Sequence, residues 1–470
     1  MRRRQFLSSL PGAPAILQAR SSSRPPNIVI ALCDDLGYGD LSCFGHPLIK
    51  TPRLDRFAAE GVRFTDCYAG APVCSPSRAG LVTGRIPYRA GIYDWIPEGS
   101  PMHLRREETS FATLLKQSGY ATCHSGKWHL NGGMDLPGQT TPGDHGFSHW
   151  FSTQNNAVPS HRNPRNFIRN GKPAGPLEGY SADIIVNEAT SWLDNLDSKQ
   201  PFCLFLCFHE PHEIVASAED LVRLYPDAKP PDRAEYFANV SQIDRAFGRL
   251  LDTLDKRGQR DNTFVFFTSD NGPETLNRYR NANHSYGSPG PFRGMKLHLW
   301  EGGIRVPGIA RFPGRTKPGS TSRTPVCNVD ILPTACALAG IKPSTGRTLD
   351  GMNILPALES KPLDRLHPLS WHYFNPLGEP RAVLRDGDWK IAGIPAQPGA
   401  RPAAGAFKLE YMDEVKGVSL DRFELYNLKD DPGEKVNLAF REPARLKRMS
   451  EALVRRHKEV QAEGFDWRWA

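Results

Sequence analysis

Four apolar runs constrain this chain more than any other feature: 27–33 (NIVIALC), 120–124 (YATCH), 202–208 (FCLFLCF) and 263–268 (TFVFFT). An unbroken apolar run of this length marks a strand buried on both faces, because a half-exposed strand alternates. Segments of helical period lie between them. Thr51-Pro52, followed by Leu54, Phe57, Ala58 and Gly61, reads as a helix with an N-cap, a proline at its first position and a glycine past its end. A second helix is expected over 109–118, stopped by Gly119. Ser181 caps a third, with Ile184, Ile185, Ala189, Trp192, Leu193 and Leu196 on one face, and Tyr236, Val240, Ile243, Phe247, Leu250 and Leu254 mark a long fourth. Strand and helix in alternation predict an α/β sandwich, with a large mixed, mostly parallel sheet between helices.

The pattern changes near residue 360. The pieces 381–384 (RAVL) and 389–391 (WKI) flank Asp386-Gly387, a hairpin signal, and 442–460 reads as a helix. Residues 26–360 are therefore expected to form the large unit and 361–470 a smaller α+β unit with a small antiparallel sheet, a division that suits a chain of 470 residues. The Pro/Gly/Ala-rich stretch 393–406 reads as a loop. So do 137–176 and 271–295, whose length inside a compact unit points to function.

With 39% hydrophobic and 23% charged residues the composition is that of a globular protein. No run of about 18 apolar residues follows the N-terminus, which argues against a transmembrane segment. Of the formal charge of +8, three belong to Arg2, Arg3 and Arg4. The remainder is too mild and dispersed for nucleic acid, and leaves room for a local anion pocket. The start, MRRRQFLSSLPGAPAILQA, has a charged head, a modestly apolar middle and a small residue, Ala19, for cleavage; Arg3-Arg4-Gln5-Phe6-Leu7 resembles the bacterial twin-arginine signal. Residues 1–25 are accordingly expected to be a signal peptide and short linker, and the protein to be periplasmic or extracellular. Nine cysteines is an odd count. If Cys74 has a task of its own, eight remain that export would allow to pair, and none shows zinc spacing.

Polar residues follow the apolar runs: Asp34 and Asp35 the first, Lys127 and His129 the second, His212 the third, Asp270 and Asn271 the fourth. The ends of parallel strands face one way, so these groups converge on one crevice. Three carboxylates and an amide are hard oxygen donors, suited to Ca²⁺ or Mg²⁺. Lys296, a compact point charge, suits a tetrahedral oxyanion. Cys74 stands near the start of a helix-compatible segment within 72–85 (PVCSPSRAGLVTGR), where the dipole favours anions, and Arg78, four residues on, shares its face. A thiolate beside an arginine is one reading of this pair. A metal bound by hard oxygens favours an oxygen nucleophile instead.

Cys74-Ser-Pro-Ser-Arg78, followed by Leu81-Val-Thr-Gly-Arg85, resembles the signature of the type I sulfatases, formylglycine-dependent enzymes of the alkaline phosphatase superfamily. Further blocks resemble that family in its own order: 34–40 (DDLGYGD), 51–55 (TPRLD), 126–129 (GKWH), 269–272 (SDNG), 301–307 (EGGIRVP), 424–428 (ELYNL) and 431–434 (DPGE). The resemblance spans roughly 26–440 and implies an alkaline phosphatase-like fold and a sulfuric ester hydrolase. The wording around GRIPYRAGIY and GSPGPFRGMK is similar to enzymes acting on sulfated carbohydrates.

The same resemblance implies roles. A formylglycine-generating maturation enzyme would convert Cys74 to Cα-formylglycine. Asp34, Asp35, Asp270 and Asn271 would bind Ca²⁺, in preference to Mg²⁺, with the modified Cys74 as a further ligand through one hydroxyl of its aldehyde hydrate. The other hydroxyl would attack sulfur, giving a sulfated enzyme. Arg78 and Lys127 would hold the formylglycine oxygens, His129 would take the proton as sulfate is released, and Lys296 and His212 would bind the sulfate and assist the leaving oxygen. His209-Glu-Pro-His212 offers two histidines where many members have one; spacing and Glu213 favour His212, with His209 the alternative. Substrate-selecting groups are expected in loops over the site, with Asp94, Trp95, His161, Arg162 and His298 as candidates. Two other functions fit part of the pattern: a phosphatase or phosphonate monoester hydrolase of the same superfamily, and a sulfoglycan-binding protein without activity if Cys74 stays a thiol.

Overall fold

The computed structural model describes residues 24–396 and 406–469. The expected signal peptide lies outside them as far as residue 23, as does most of the expected 393–406 loop.

The strand Asn27–Asp34 runs through the middle of a ten-stranded sheet, parallel to Phe202–Pro211 on one side and Thr263–Ser269 on the other. Its side chains enter two cores in turn, Ile28, Ile30 and Leu32 one, Val29, Ala31 and Cys33 the other. Burial on both faces is why the run admits no charge before Asp34. From edge to edge the strands are Ser320–Ser322, Val62–Phe64, Gly308–Arg311, Thr263–Ser269, Asn27–Asp34, Phe202–Pro211, Ala121–Lys127, His149–Thr153, Ile168–Arg169 and Lys172–Pro173. The five from Thr263–Ser269 to His149–Thr153 are all parallel, and Gly308–Arg311 runs against both its neighbours. The sheet is therefore mixed and mostly parallel, as the alternation predicts.

Helices cover both faces. Pro52–Glu60, Ser181–Asp194 and Pro231–Lys256 pack into the core on one side, the last through Phe237, Val240, Ile243, Phe247, Leu250 and Leu254. Cys74–Thr83, Phe111–Gln117 and Ile331–Leu338 pack on the other. Every residue of Cys74–Thr83 is buried; its small residues, Ser75, Ser77, Ala79 and Gly80, let neighbours close in on all sides.

A second sheet, antiparallel, is formed in order by Leu369–His372, Ala382–Asp386, Trp389–Ile394 and Arg422–Asn427. Its central hairpin turns at Gly387-Asp388, one residue beyond the Asp386-Gly387 signal, because Asp386 still pairs with Trp389 in the ladder. Met449 and Leu453 of the helix Pro443–Glu463 pack against its Leu384, Ile391 and Leu425. The sheet is tied back to the large unit by Trp371, whose indole N–H donates to the Ala69 carbonyl at 2.7 Å.

Some local expectations change. Gly61 leaves its helix extended, at φ −131°; it is needed because a Cβ there would stand 2.2 Å from the Ala310 carbonyl oxygen of a neighbouring strand. Thr51 does not cap that helix through its side chain, and its hydroxyl donates to Asp55 instead. Ser181 is the first helical residue rather than the cap, and donates to Glu210. The stretch 137–176 is not all loop: His149–Thr153, Ile168–Arg169 and Lys172–Pro173 extend the sheet, hidden by the prolines and glycines around them. All nine cysteines are unpaired, and eight are buried. Cys203 and Cys207, four apart on one strand, are separated by roughly 13 Å, beyond the reach of a disulfide.

Candidate active site

The parallel strands deliver their polar residues to one edge. Asp34 and Lys127 end their strands, and Asp35, Asp270 and Asn271 follow theirs directly. There the acids meet cations. Lys127 Nζ donates to Asp34 Oδ2 at 2.6 Å and Lys296 Nζ to Asp35 Oδ2 at 2.8 Å. Arg78 Nε donates to Asp270 Oδ2 at 2.8 Å, its Nη1 to the Lys127 carbonyl at 2.7 Å, and Asn271 Nδ2 to Asp35 Oδ1 at 2.7 Å. None of these seven residues is more than 4% exposed. Asp35, His129 and Leu297 carry left-handed backbone, φ 61°, 55° and 68°, and such backbone in residues other than glycine persists where surrounding structure enforces it.

Cys74 is the first residue of its helix, after extended Val73, and no side chain caps that end. It lines a cavity of about 350 Å³ with Asp94, Trp95, His129, His212, Glu213 and Lys296. Burial pushes the Cys74 thiol up to about 12, although Lys127 and Lys296 pull it down. A thiol so basic is not a thiolate at neutral pH.

The two cavity histidines differ in charge. Burial disfavours the imidazolium of His212, but the Glu213 carboxylate, 2.9 Å from Nδ1, reverses this with help from Asp35, and its pKa rises to about 9. His212 is thus a proton donor at neutral pH, with Nε2 3.6 Å from Asp35 Oδ2. Burial, Lys127 and Arg78 hold His129 far below its ordinary value. His129 Nε2 donates to the Ile96 carbonyl at 3.0 Å, which leaves Nδ1 a buried base with no partner. His209 Nε2 is bonded to Thr153 Oγ1 at 2.7 Å beside Phe167, away from the cavity wall. Of the two histidines after the third run, His212 is the one at the site.

Among the expected loop residues, Asp94 and Trp95 line the cavity. His161 is fully buried, Arg162 is exposed, and His298 turns to the carbonyls of Met295 and Lys296; these three lie off the wall. Asn155, Asn156, Arg278, Tyr279, Tyr373 and Asn375 line it without having been expected to. The lengths of the 137–176 and 271–295 stretches were the signal available for the first four. Tyr373 and Asn375, from beyond residue 361, had none.

The acidic edge fits a divalent cation. Asp34 and Asp35 present carboxylate oxygens within 4.8 Å of each other and of a ring nitrogen of His212, which as an imidazolium stands beside the cation's place and is not a ligand to it. Asp34 Oδ1 and Asn271 Oδ1 are buried without a hydrogen-bond partner. Burial raises the Asp35 carboxyl, and burial with Asp34 lifts Asp270 to about 6, whereas Asp34 is held low, against burial, by Lys127 and His212. Unsatisfied oxygens among crowded carboxylates are the donor set of a hard cation.

The sulfatase family model matches residues 26–341. N-acetylgalactosamine-6-sulfatase of Homo sapiens is 32% identical over 490 residues, covering 94% of this chain and 87% of the relative. Arylsulfatase A of Homo sapiens is 33% identical over 471 residues, covering 91% and 87%. The solved structure of Ps i-CgsB in complex with k-i-k-neocarrahexaose has a TM-score of 0.77 and 27% identity over 94% of each chain. A cysteine at a buried helix start, beside cations and an acidic edge whose donors suit a divalent cation, agrees with these likenesses: the chain belongs to the sulfatase family and is a sulfuric ester hydrolase.

Proposed function

We propose that this enzyme removes sulfate from a sulfated carbohydrate, with position 74 as the nucleophile. The observation that carries the reading is Cys74 itself: at a helix start, on the cavity wall with Lys296 and His212, and far too basic to serve as a thiolate. The carbohydrate follows from the relatives, one an N-acetylgalactosamine-6-sulfatase and another crystallised with a neocarrahexaose.

In this reading a formylglycine-generating enzyme converts Cys74 to Cα-formylglycine, and Asp34, Asp35, Asp270, Asn271 and the modified Cys74 hold Ca²⁺ in preference to Mg²⁺. The two groups supply an oxygen nucleophile and a Lewis acid at neutral pH. The chain's own residues do the rest. Arg78 and Lys127 hold the oxygens at position 74. Lys296 and His212 face the sulfate group, where fixed cations offset the charge that builds during ester cleavage. His212, anchored through Nδ1 by Glu213, presents Nε2–H to the leaving oxygen. His129 Nδ1, free of other partners, accepts the proton that must leave position 74 for sulfate to depart. The arginine-rich start supports export to the periplasm or beyond, and among the described residues no helix is long and apolar enough to cross a membrane.

Matured protein, assayed with calcium on defined sulfated mono- and disaccharides and their phosphate counterparts, tests this. The expected result is sulfate release from at least one sugar, with kcat/KM at least about 100-fold above the matching phosphate and loss of activity on chelation. Faster turnover of the phosphates would replace the reading with that of a phosphatase.

A further inference from the structure

Asp94 differs from the other acids of the site. Asp34, Asp35 and Asp270 each meet a lysine or arginine, and Glu213 meets His212. Asp94 meets only neutral groups: its Oδ1 accepts from the Tyr373 hydroxyl at 2.8 Å and the Trp95 N–H at 2.9 Å. Its Oδ2 has no hydrogen-bond partner, although the residue is 1% exposed and lines the cavity. Burial raises this carboxyl to about 7, against those two hydrogen bonds and the charge of Arg278. When ionised, as it increasingly is above that value, Asp94 presents on the cavity wall a buried carboxylate oxygen whose partner oxygen is already engaged, an acceptor for a donor brought by the ligand.

The cavity has a sign at each place. Lys296 and His212 attract the sulfate of the ester. Among the described residues Asp94 forms no ion pair, and Arg278, the cation nearest it on the cavity wall, is already held by Glu274, so a second anion brought there meets a like charge in a buried site. A hydroxyl brings a proton for Oδ2 instead, and the neighbouring Trp95 adds apolar surface for the ring. The volume, about 350 Å³, is at the low end for ligand pockets and suits one sulfated ring.

Resting on the carbohydrate sulfatase reading, we propose that Asp94 determines specificity. Its Oδ2 accepts a hydroxyl of the ring that carries the scissile sulfate, so the enzyme takes singly sulfated neutral sugars and rejects rings bearing a second anionic group, whether carboxylate or sulfate.

The test compares singly sulfated hexoses and hexosamines with sulfated uronic acids and disulfated sugars, on matured wild type and on Asp94→Asn. Wild type is expected to favour the neutral rings by at least about 100-fold in kcat/KM, chiefly through KM. Asp94→Asn retains an oxygen for Tyr373 and Trp95 and is expected to narrow that ratio at least about tenfold. Equal wild-type values for the two classes, or an unchanged ratio in a folded Asp94→Asn, would overturn the proposal. The wild-type ratio needs no variant, so a misfolded Asp94→Asn leaves the test intact. If fully converted wild type releases sulfate from no sugar, the carbohydrate reading itself fails. Calorimetric binding of the same sugars to Cys74→Ala then decides on Asp94 separately: equal affinity for both classes overturns it, and tighter binding of neutral rings supports it.

Discussion

Lys296 shows how much one side chain carries. It is buried between Asp35, 2.8 Å away, and Glu274, 3.8 Å away, and against the penalty of burial Asp35 holds its ammonium well above the ordinary lysine value. It therefore stays charged at neutral pH, as the sulfate-binding role proposed for it requires. Lys296→Met is expected to lower kcat about 100- to 1000-fold with the circular dichroism spectrum unchanged; a loss under about tenfold would remove Lys296 from the chemistry. Residues such as Asp34, Lys127 and Asp270 were legible in the sequence because they stand at or just past the ends of apolar strands, where topology alone fixes their direction. Loop residues were not. His161 and Asp94 look alike as polar loop positions, yet one is sealed in the interior and the other lines the cavity, and that difference arises from packing that no local spacing encodes.

Among the elements, the strand Ala121–Lys127 has the tightest requirement. Gly126 takes φ 113°, and a Cβ there would stand 1.8 Å from the Cys207 carbonyl oxygen of the adjacent strand. This close approach brings the strand beside Phe202–Pro211 just where Lys127 meets Asp34. Gly126→Ala is expected to destabilise the protein by on the order of 3 kcal/mol, read as a lower denaturant midpoint; an unchanged midpoint would contradict it. The loop after Lys296 is held by a different element. Lys390 of the second sheet donates to the Leu299 carbonyl at 2.9 Å and pairs with Glu301 at 3.0 Å and Glu434 at 2.8 Å. The strands and the hairpin signalled by Asp386-Gly387 were legible from period and turn chemistry. The strand His149–Thr153 was not, because the prolines and glycines that flank it read as one continuous loop.

On the scale of the molecule, the second sheet and last helix complete the site. Tyr373 and Asn375 supply part of the cavity wall. Arg85, just past the Cys74–Thr83 helix, pairs with Glu108 at 2.5 Å and with Glu463 near the chain's end. Contacts between residues so distant in sequence leave no local pattern to read. His372 on the second sheet and His457 on the last helix meet through their Nδ1 atoms at 2.9 Å. Burial lowers His457 to about 4 and, with His457 and Arg456, holds His372 well below 6.5. The folded values lie below the unfolded one, so the unfolded chain binds protons first as pH falls. The stability from this pair is complete above about pH 6.5 and shrinks toward pH 4. His457→Leu is expected to be less stable than wild type at pH 7.5, with the gap narrowing by about 2 kcal/mol at pH 5; a gap independent of pH would contradict the neutral pair.

The state of position 74 decides the rest, and mass spectrometry of the peptide holding residues 72–85, from protein that turns over a sulfate ester, measures it directly. The expected result is the mass of an aldehyde, or its hydrate, in place of the thiol. An unmodified cysteine throughout a fully active preparation would contradict the account.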